Sequence, residues 1–402
     1  MKKILFLAMS LKIGGAEKSL VNMLNLLDYS KWQVDLLLFQ KKGAFLEQVP
    51  ASVHLVGGTR ELDILFQSLQ TTIRSGTGCR MGAFLLSLKR YPCTLLTTIK
   101  YRQFDRIRIN RWIRYYRKLI PELSGKYDVA VAFVGGETLY YMVDKVQADR
   151  KITYYHSDYS RIDIDCELEE EYLKRTDAIV TISAVCRNSL VQLFPNQKSK
   201  IYIQPNLTSP GLVQNLSEAY DPKEFSSVGE RAIIVSVGRL HPVKGFDLAV
   251  EAADILKRKG KRFVWFVLGE GSERRALERQ IRKRKLQNEI LLLGNKTNPY
   301  PYIKDADIFV QPSRLEGKSV VLDEAKILHK PIVVTEYHSV SDQIENMVTG
   351  IVTPITASGI AGGVELLLSR PDLRSKLVEN LSKIDFSVQA KARDFQNFIE
   401  GI

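Results

Sequence analysis

Two glutamates, Glu316 and Glu324, stand eight positions apart in the segment PSRLEGKSVVLDEAKIL. The apolar run DIFVQP precedes them, so Glu316 follows the end of a predicted buried strand, and Glu324 lies one turn inside the predicted helix VVLDEAKIL. A carboxylate offers acceptor oxygens and no donor, which suits it to neighbouring hydroxyl groups. We therefore predict that Glu316 binds a sugar ring and that Glu324 binds a ribose diol.

Two cations follow another predicted strand, AIIVSVG, in the sequence GRLHPVKG. They are Arg239 and Lys244, and together they suit a pyrophosphate, because a guanidinium binds two oxygens at once and an ammonium supplies a compact charge. Backbone N–H groups of Ser319 and Val320, at the N-terminus of the helix after Glu316, are predicted to bind a phosphate as well. Surface ion pairs and helix capping are the ordinary alternatives for these residues.

Parallel strands are needed to bring these residues together. Short apolar runs alternate with helical patterns through both halves of the chain, as in strands that are buried on both faces. The fold class predicted is therefore α/β, with two doubly wound Rossmann-like domains that face a central cleft. We predict an N-terminal, acceptor-binding domain over 1–205, a linker over 206–230, a donor-binding domain over 231–375, and a C-terminal helix within 376–402 that returns to the first domain. The predicted strands are KILFLAM, VDLLLFQ, VHLV, DVAVAFV, ITYYH, AIVTIS, AIIVSVG, FVWFVLG, EILLLG, DIFVQP, PIVVTE and GIVTP.

The composition is that of a globular protein, with 45% hydrophobic residues in 402 and a formal net charge of +13. Four cysteines lack CxxC spacing, which predicts reduced thiols in a cytosolic protein. The N-terminal run MKKILFLAM predicts a first buried strand better than it predicts a signal peptide. No apolar run reaches about 18 residues, so we expect no membrane-spanning helix.

The positive charge is concentrated between Arg60 and Lys118, where thirteen Lys and Arg stand against three Asp and Glu. Within it, YRQFDRIRINRWIRYYRKLI interleaves arginines with apolar residues near helical spacing, namely Phe104, Ile107, Trp112, Tyr115 and Leu119. We predict a basic amphipathic segment over about 80–120 that docks on an anionic membrane surface. A helix with its apolar face in the domain core is the main alternative, and nucleic-acid binding is less favoured.

The sequence resembles the retaining GT-B glycosyltransferases of family 4, and the resemblance covers nearly the whole chain. It is carried by GGAEKSL, YYHSDYS, TISAVCRNSL, IQPN, VSVGRLHPVKGFDLAVEAA, VLGEGSERRALE and the long block from LLGNKTNP to PIVVTE. The resemblance implies that Arg239 and Lys244 hold the donor diphosphate and that Glu316 and Glu324 bind the donor. It further implies a catalytic His156 near the donor sugar and donor contacts at Gly14, Gly15, Asn295, Gly317, Ser319 and Val320.

Two positions depart from the pattern of that family. Lys318 stands where an aromatic or aliphatic residue is usual, and Asp323 stands where Leu or Met is commoner. Neither change removes a predicted donor ligand, but we expect Lys318 to alter the sugar pocket. The sequences Asp163–Asp165 and Asp305–Asp307 match the DxD form of metal-dependent enzymes; we predict structural roles for both, and no metal or cofactor, because two cations already neutralise the diphosphate.

The resemblance thus implies a metal-independent, retaining hexosyltransferase, with His156, Glu316, Arg239 and Lys244 as catalytic residues. The donor expected is a nucleotide-diphosphate sugar, with UDP-sugar favoured. The acceptor expected is a hydroxyl of a lipid-linked glycan in cell-surface polysaccharide or capsule biosynthesis, at the cytoplasmic face of the membrane. The alternatives are a nucleotide-sugar epimerase of the same fold and an inactive glycan-binding partner subunit.

Overall fold

The structure is a computed structural model that describes residues 1–12, 14–57, 60–66, 92, 95–100, 104–159, 162, 164–386 and 389–401. Contacts divide the chain into two compact units. The first is Met1–Pro205 together with Lys391–Ile402, and the second is Asn206–Ala390. Each unit contains one parallel sheet with helices between successive strands.

The first unit has a seven-stranded sheet in the order β3-β2-β1-β4-β5-β6-β7. Its central strands are buried on both faces, which explains their continuous apolar sequences. The strands are β1 Lys2–Ala8, β2 Trp32–Leu38, β3 Val53–Val56, β4 Lys126–Ala132, β5 Gln147–Tyr155, β6 Ala178–Thr181 and β7 Ile201–Ile203. The helices are Gly15–Leu24, Arg60–Phe66, Phe104–Arg111, Arg117–Leu119, Glu137–Lys145, Cys166–Leu173, Ala184–Leu193 and Gln389–Gly401, with a π-helical stretch at Trp112–Tyr116.

The second unit has a six-stranded sheet in the order β10-β9-β8-β11-β12-β13. The strands are β8 Ala232–Val237, β9 Phe263–Leu268, β10 Ile290–Gly294, β11 Ile308–Gln311, β12 Ile332–Thr335 and β13 Ile351–Thr353. The helices are Pro210–Ser217, Phe246–Arg258, Arg274–Lys283, Tyr300–Lys304, Val320–Ile327, Ala357–Ser369 and Pro371–Ser382. In both sheets the strand order reverses beside the first strand of the unit, so the predicted doubly wound α/β fold is confirmed.

The structure differs from the predictions in three local features. The strand β7 was not predicted, because it is a three-residue edge strand whose Tyr202 and Ile203 are exposed. The segment 206–230 is not an irregular linker: it lies in the second unit and includes the helix Pro210–Ser217, whose Val213 is buried in that unit's core. Residues 371–382 form a helix of the second unit, and the return to the first unit begins only at Lys391.

The apolar face of the basic segment packs inside the first unit. Trp112 and Tyr116 are at most 1% exposed and lie in the hydrophobic core with Ile109. The indole Nε1 of Trp112 donates to Asp144 Oδ2 at 2.9 Å. These side chains therefore face the core of the first unit, as in the alternative of a core-facing helix, and docking of the segment on a membrane stays a prediction. Residues 80–91, 93, 94 and 101–103 of the predicted segment lie outside the described residues. Among the residues that are described, no helix is both long enough and apolar enough to span a membrane.

Candidate functional site

The turns after β8 and β11 meet at one edge of the second sheet. These strands are parallel neighbours, so their carboxyl ends share that edge. Gly245 has a φ of +65°, and a Cβ there would lie 1.9 Å from the carbonyl oxygen of Pro312, so only glycine allows this approach. The N–H of Arg314 also donates to the carbonyl of Val243 at 2.7 Å. The two turns are thus held in backbone contact.

This contact brings Lys244 and Glu316 together. Lys244 Nζ lies 2.5 Å from Glu316 Oε1, and the two side chains are 21% and 11% exposed. The same oxygen accepts hydrogen bonds from Gln311 Nε2 and Ser313 Oγ, both at 2.7 Å. The other oxygen, Oε2, has no hydrogen-bond partner among the described residues. One carboxylate oxygen therefore fixes the side chain, and the other can accept from a ligand.

Arg239 is a second cation of the turn after β8. It is exposed, and its guanidinium forms no hydrogen bond or ion pair with any described side chain or backbone group. Lys244, in contrast, forms an ion pair with Glu316. His241, between them in the sequence, accepts through Nδ1 from the N–H of Val243 at 3.4 Å, which gives it a structural role in the turn. Arg239 is therefore a cation of this turn that has no acidic partner among the described residues.

Ser319 precedes the helix Val320–Ile327, and its groups already have partners. Its Oγ donates to Gln311 Oε1 at 2.8 Å, and its N–H donates to Gln343 Oε1 at 2.7 Å. The prediction that the Ser319 N–H binds a phosphate is therefore corrected, since Gln343 takes that donor. Val320 begins the helix, where the first N–H groups have no intrahelical acceptor, so its N–H can meet an anion. Gly317, also predicted, is buried in the turn before Ser319.

Glu324 shares the buried face of this helix with Val320 and is 1% exposed. Its Oε1 accepts from the hydroxyl of Tyr300 at 3.1 Å. Burial raises the pKa of Tyr300 well above its usual value, and the charge of Glu324 raises it further, so the phenol stays a donor. The predicted contact of Glu324 with a ribose remains a prediction.

A second contact fixes the turn after β8. Arg314 donates from Nη1 and Nη2 to the two carboxylate oxygens of Asp247, at 2.7 and 2.6 Å, and from Nη1 to the carbonyl of Pro242 at 2.8 Å. Burial alone would raise the pKa of Asp247, but the hydrogen bonds and charge of Arg314 hold it below the ordinary value. Because Pro242 and Asp247 flank Lys244, this bidentate pair orients the turn that carries the lysine.

The two departures from the family pattern contact each other. Lys318 Nζ lies 3.2 Å from Asp323 Oδ2, and their side chains are 14% and 16% exposed. Asp323 Oδ1 also accepts from Gln343 Nε2 at 3.1 Å. Sequence reasoning missed Gln343, because nothing in QIENMVTG signals that its amide reaches a turn 24 residues earlier.

The remaining predicted residues lie at other strand ends. Gly14 is the N-cap of the helix Gly15–Leu24, which follows β1, and Gly15 is exposed. His156 follows β5; its Nε2 donates to the carbonyl of Phe133 at 2.8 Å, and its ring stacks on Tyr154. These three belong to the first unit. Asn295 follows β10 in the second unit and is exposed.

The two DxD sequences lie elsewhere. Asp307 Oδ2 accepts from the N–H of Ile233 at 2.8 Å, at the amino ends of β8 and β11, on the edge opposite Glu316. Asp165 caps the helix Cys166–Leu173 by accepting from the N–H of Leu168 at 3.5 Å. Asp163 lies outside the described residues. The structural roles predicted for Asp165 and Asp307 are therefore confirmed.

Comparisons with known proteins agree with this architecture. Residues 218–383 match the sequence family described as glycosyl transferases group 1. The amylovoran biosynthesis glycosyltransferase AmsK of Erwinia amylovora is 28% identical over 239 residues, which are 56% of this chain and 56% of AmsK. The N-acetylgalactosamine-N,N'-diacetylbacillosaminyl-diphospho-undecaprenol 4-alpha-N-acetylgalactosaminyltransferase of Campylobacter jejuni is 31% identical over 175 residues, 38% of this chain and 47% of that enzyme. The chain thus spans about half the length of the curated relatives it matches.

A solved structure matches over the full length. The crystal structure of Anabaena HepE in complex with UDP-glucose has a TM-score of 0.71 and 17% sequence identity, with both chains covered completely. At that identity the likeness shows the fold, which is GT-B.

Proposed function

We propose that this chain, a GT-B protein whose residues 218–383 form a glycosyl transferases group 1 domain, is a glycosyltransferase that uses a nucleotide-diphosphate sugar, with UDP-sugar favoured. The observation that carries the proposal is the Lys244–Glu316 pair at the meeting of the turns after β8 and β11. It places a cation, a carboxylate with one oxygen available and the exposed Arg239 at one edge of the sheet. This is the edge at which parallel α/β sheets bind ligands.

Each proposed donor contact follows from the chemistry of these groups. The diphosphate is bound by Arg239, Lys244 and the N–H of Val320, and these stabilise the charge that develops as the sugar leaves. Glu316 accepts from sugar hydroxyls through Oε2, since its Oε1 is fully bonded. Glu324 accepts from the ribose.

We further propose transfer with retention at the anomeric carbon and without a metal ion. Glu316 is committed to Lys244, Gln311 and Ser313 through one oxygen, which suits it to holding hydroxyls rather than attacking the sugar. The incoming hydroxyl then approaches on the face from which the diphosphate leaves, and a diphosphate oxygen takes its proton. For His156, Gly14 and Gly15, a role in donor binding rests on the family resemblance alone.

The acceptor proposed is a hydroxyl of a lipid-linked glycan in polysaccharide assembly. The Campylobacter relative is named for a diphospho-undecaprenol acceptor, and the Erwinia relative for amylovoran biosynthesis. Peripheral docking on the cytoplasmic face of the membrane would bring the enzyme to such an acceptor. Membrane docking is supported by the concentration of basic residues between Arg60 and Lys118. Two of these residues, Arg114 and Lys118, are exposed. Trp112 lies in the hydrophobic core and takes no part in docking.

A thermal-shift screen tests the donor. UDP, GDP, ADP and dTDP sugars are added separately to the purified protein, and the unfolding midpoint is measured. A ligand that binds only the folded state raises the midpoint by mass action, so UDP-sugars are expected to give the largest shift. No shift with any nucleotide sugar at millimolar concentration would contradict the proposal.

A further inference from the structure

We infer that Gln343 is a positioning residue for the donor site, and that the ion pair of Lys318 and Asp323 holds its side-chain amide in place. The inference rests on the proposed function, because the turn that Gln343 contacts carries Glu316 at one end and Val320 at the other. Gln343 itself is not a proposed donor contact. It acts through the backbone of Ser319.

The amide of Gln343 bonds both backbone groups of Ser319. Gln343 Oε1 accepts from the Ser319 N–H at 2.7 Å, and Nε2 donates to the Ser319 carbonyl at 2.8 Å. Ser319 has an extended backbone, with φ −80° and ψ 111°, so its N–H and carbonyl point to the same side and match one amide. Both residues are buried, at 6% and 5% exposure. Loss of the amide would therefore leave the buried Ser319 N–H without that partner and its carbonyl with only the 3.4 Å hydrogen bond from the Asp323 N–H, which is costly.

The ion pair fixes which way this amide faces. Asp323 Oδ1 accepts from Nε2 of Gln343 at 3.1 Å, and an ionised carboxylate can only accept, so the nitrogen must lie on that side. Lys318 Nζ, 3.2 Å from Asp323 Oδ2, neutralises the carboxylate. Both charges are largely buried, and removal of either one leaves the other uncompensated. Lys318 and Asp323 therefore depend on each other, and their departure from the family pattern is one change rather than two.

The same loop also holds the other end of the turn. Gln343 and Ser339 both lie in the loop between β12 and β13. From this loop, Ser339 Oγ donates to the carbonyl of Glu316 at 2.8 Å. Lys326 Nζ donates to the carbonyl of Gln343 at 2.9 Å, which ties the loop to the helix that begins at Val320. The turn from Glu316 to Ser319 is thus bonded at both ends to one loop. The position of the Glu316 carboxylate and of the Val320 N–H is set by these bonds.

A pair of matched variants tests the role of Gln343. Gln343→Ala is compared with Gln197→Ala, which removes a buried amide from the first unit, where its Nε2 donates to Glu170 at 3.4 Å. kcat and KM are measured with the UDP-sugar identified by the thermal-shift screen, at a temperature where circular dichroism shows both variants folded. We expect kcat/KM to fall by about 10- to 100-fold for Gln343→Ala, because small displacements of positioning groups are costly, and to stay within about twofold for Gln197→Ala. Equal changes in the two variants would overturn the inference.

A double-mutant cycle tests the ion pair without any nucleotide. Urea unfolding midpoints are measured for Lys318→Met, Asp323→Leu and the double variant. Each single change leaves a buried charge unpaired, so the double variant should lose less than the sum of the single losses. Additive losses would contradict the ion-pair role. If the wild type showed no response to nucleotide sugars, the proposed function would fail, whereas this cycle would still report on the pair.

One further outcome separates positioning from direct contact. Lys318→Met should lower the unfolding midpoint and leave the order of preference among UDP-sugars as in the wild type. If the variant instead changed that order with an unaltered midpoint, Lys318 would contact the sugar itself, and the assignment to the Gln343 network would be wrong.

Discussion

Removal of the Lys244 ammonium is the change with the most defined expected effect. Lys244→Ala deletes the cation 2.5 Å from Glu316 Oε1, in a pair whose side chains are mostly buried. Truncation of one partner of a buried pair costs about 3–5 kcal/mol of folding free energy. Here Gln311 and Ser313 still donate to the remaining carboxylate, so we expect a cost of about 1–3 kcal/mol, nearer to that of a lost charged hydrogen bond.

The effect on catalysis should be larger than the effect on stability. Loss of a preorganised charge that stabilises the leaving diphosphate costs about 2–4 kcal/mol of transition-state stabilisation. At about 1.36 kcal/mol per tenfold, this is a fall of roughly 30- to 900-fold in kcat/KM. The assay is release of UDP from the UDP-sugar, followed under conditions where the variant is folded. Lys259→Ala is the control, because Lys259 also lies 2.5 Å from a carboxylate, that of Glu365, away from the proposed site.

Two results would refute this reasoning. The first is a folded Lys244→Ala variant whose turnover stays within about twofold of the wild type, which would exclude the lysine from the transition state. The second is an equal fall for Lys259→Ala, which would show that the loss reflects general destabilisation of the unit.

Three other changes have defined outcomes. Glu316→Gln should mainly lower kcat, because the sugar changes charge as its bond breaks. Glu324→Gln should mainly raise the Kd of UDP, measured by calorimetry. If the two variants changed kcat and Kd equally, this division of roles would be contradicted. Asp247→Asn should lower the urea midpoint at pH 7, because the folded-state pKa of Asp247 lies below its ordinary value of 3.8. The ionised carboxylate therefore stabilises the fold above that value, and this stabilisation is lost as the pH falls through the folded-state pKa. If the variant stayed less stable than the wild type at the acid end, the ionised pair would be refuted. Reversal of the exposed Arg114 and Lys118 to Glu should reduce sedimentation with anionic vesicles at low salt and leave UDP binding unchanged, and a wild type that fails to sediment would refute membrane docking.

The strands of both sheets were predictable, because burial on both faces leaves a continuous apolar run in the sequence. The short strand β7 was not, since only one of its three residues is buried. The placement of Lys244 and Glu316 at one edge of the sheet followed from residue type and from the rule that neighbouring parallel strands end at one edge, but their direct ion pair was not predicted. These parts depend on local pattern and on topology, which a single sequence carries.

Other parts of the site depend on contacts that no local pattern records. Gln343 lies 24 residues after Ser319 in the sequence. The hydrogen bond that the Ser319 N–H donates to Gln343, and that makes this N–H unavailable to a phosphate, therefore could not be predicted. The spacing of Trp112 and its neighbours indicated an amphipathic helix correctly, but the same spacing fits a membrane face and a core face equally. Its partner Asp144 in the first unit decides between them, and that contact is visible only in three dimensions.

The central claim is tested most directly by the fate of a labelled donor. The UDP-sugar chosen by the screen, labelled in the sugar, is incubated with the wild type or Lys244→Ala and with a lipid-linked glycan fraction, and the label is located by chromatography. We predict one UDP released for each sugar that enters the lipid fraction, with an unchanged anomeric configuration and a rate lower by about two orders of magnitude in the variant. Label recovered as an epimer of the free donor would show an epimerase, and label left entirely in unaltered donor would show a binding subunit; either result would contradict the glycosyltransferase assignment.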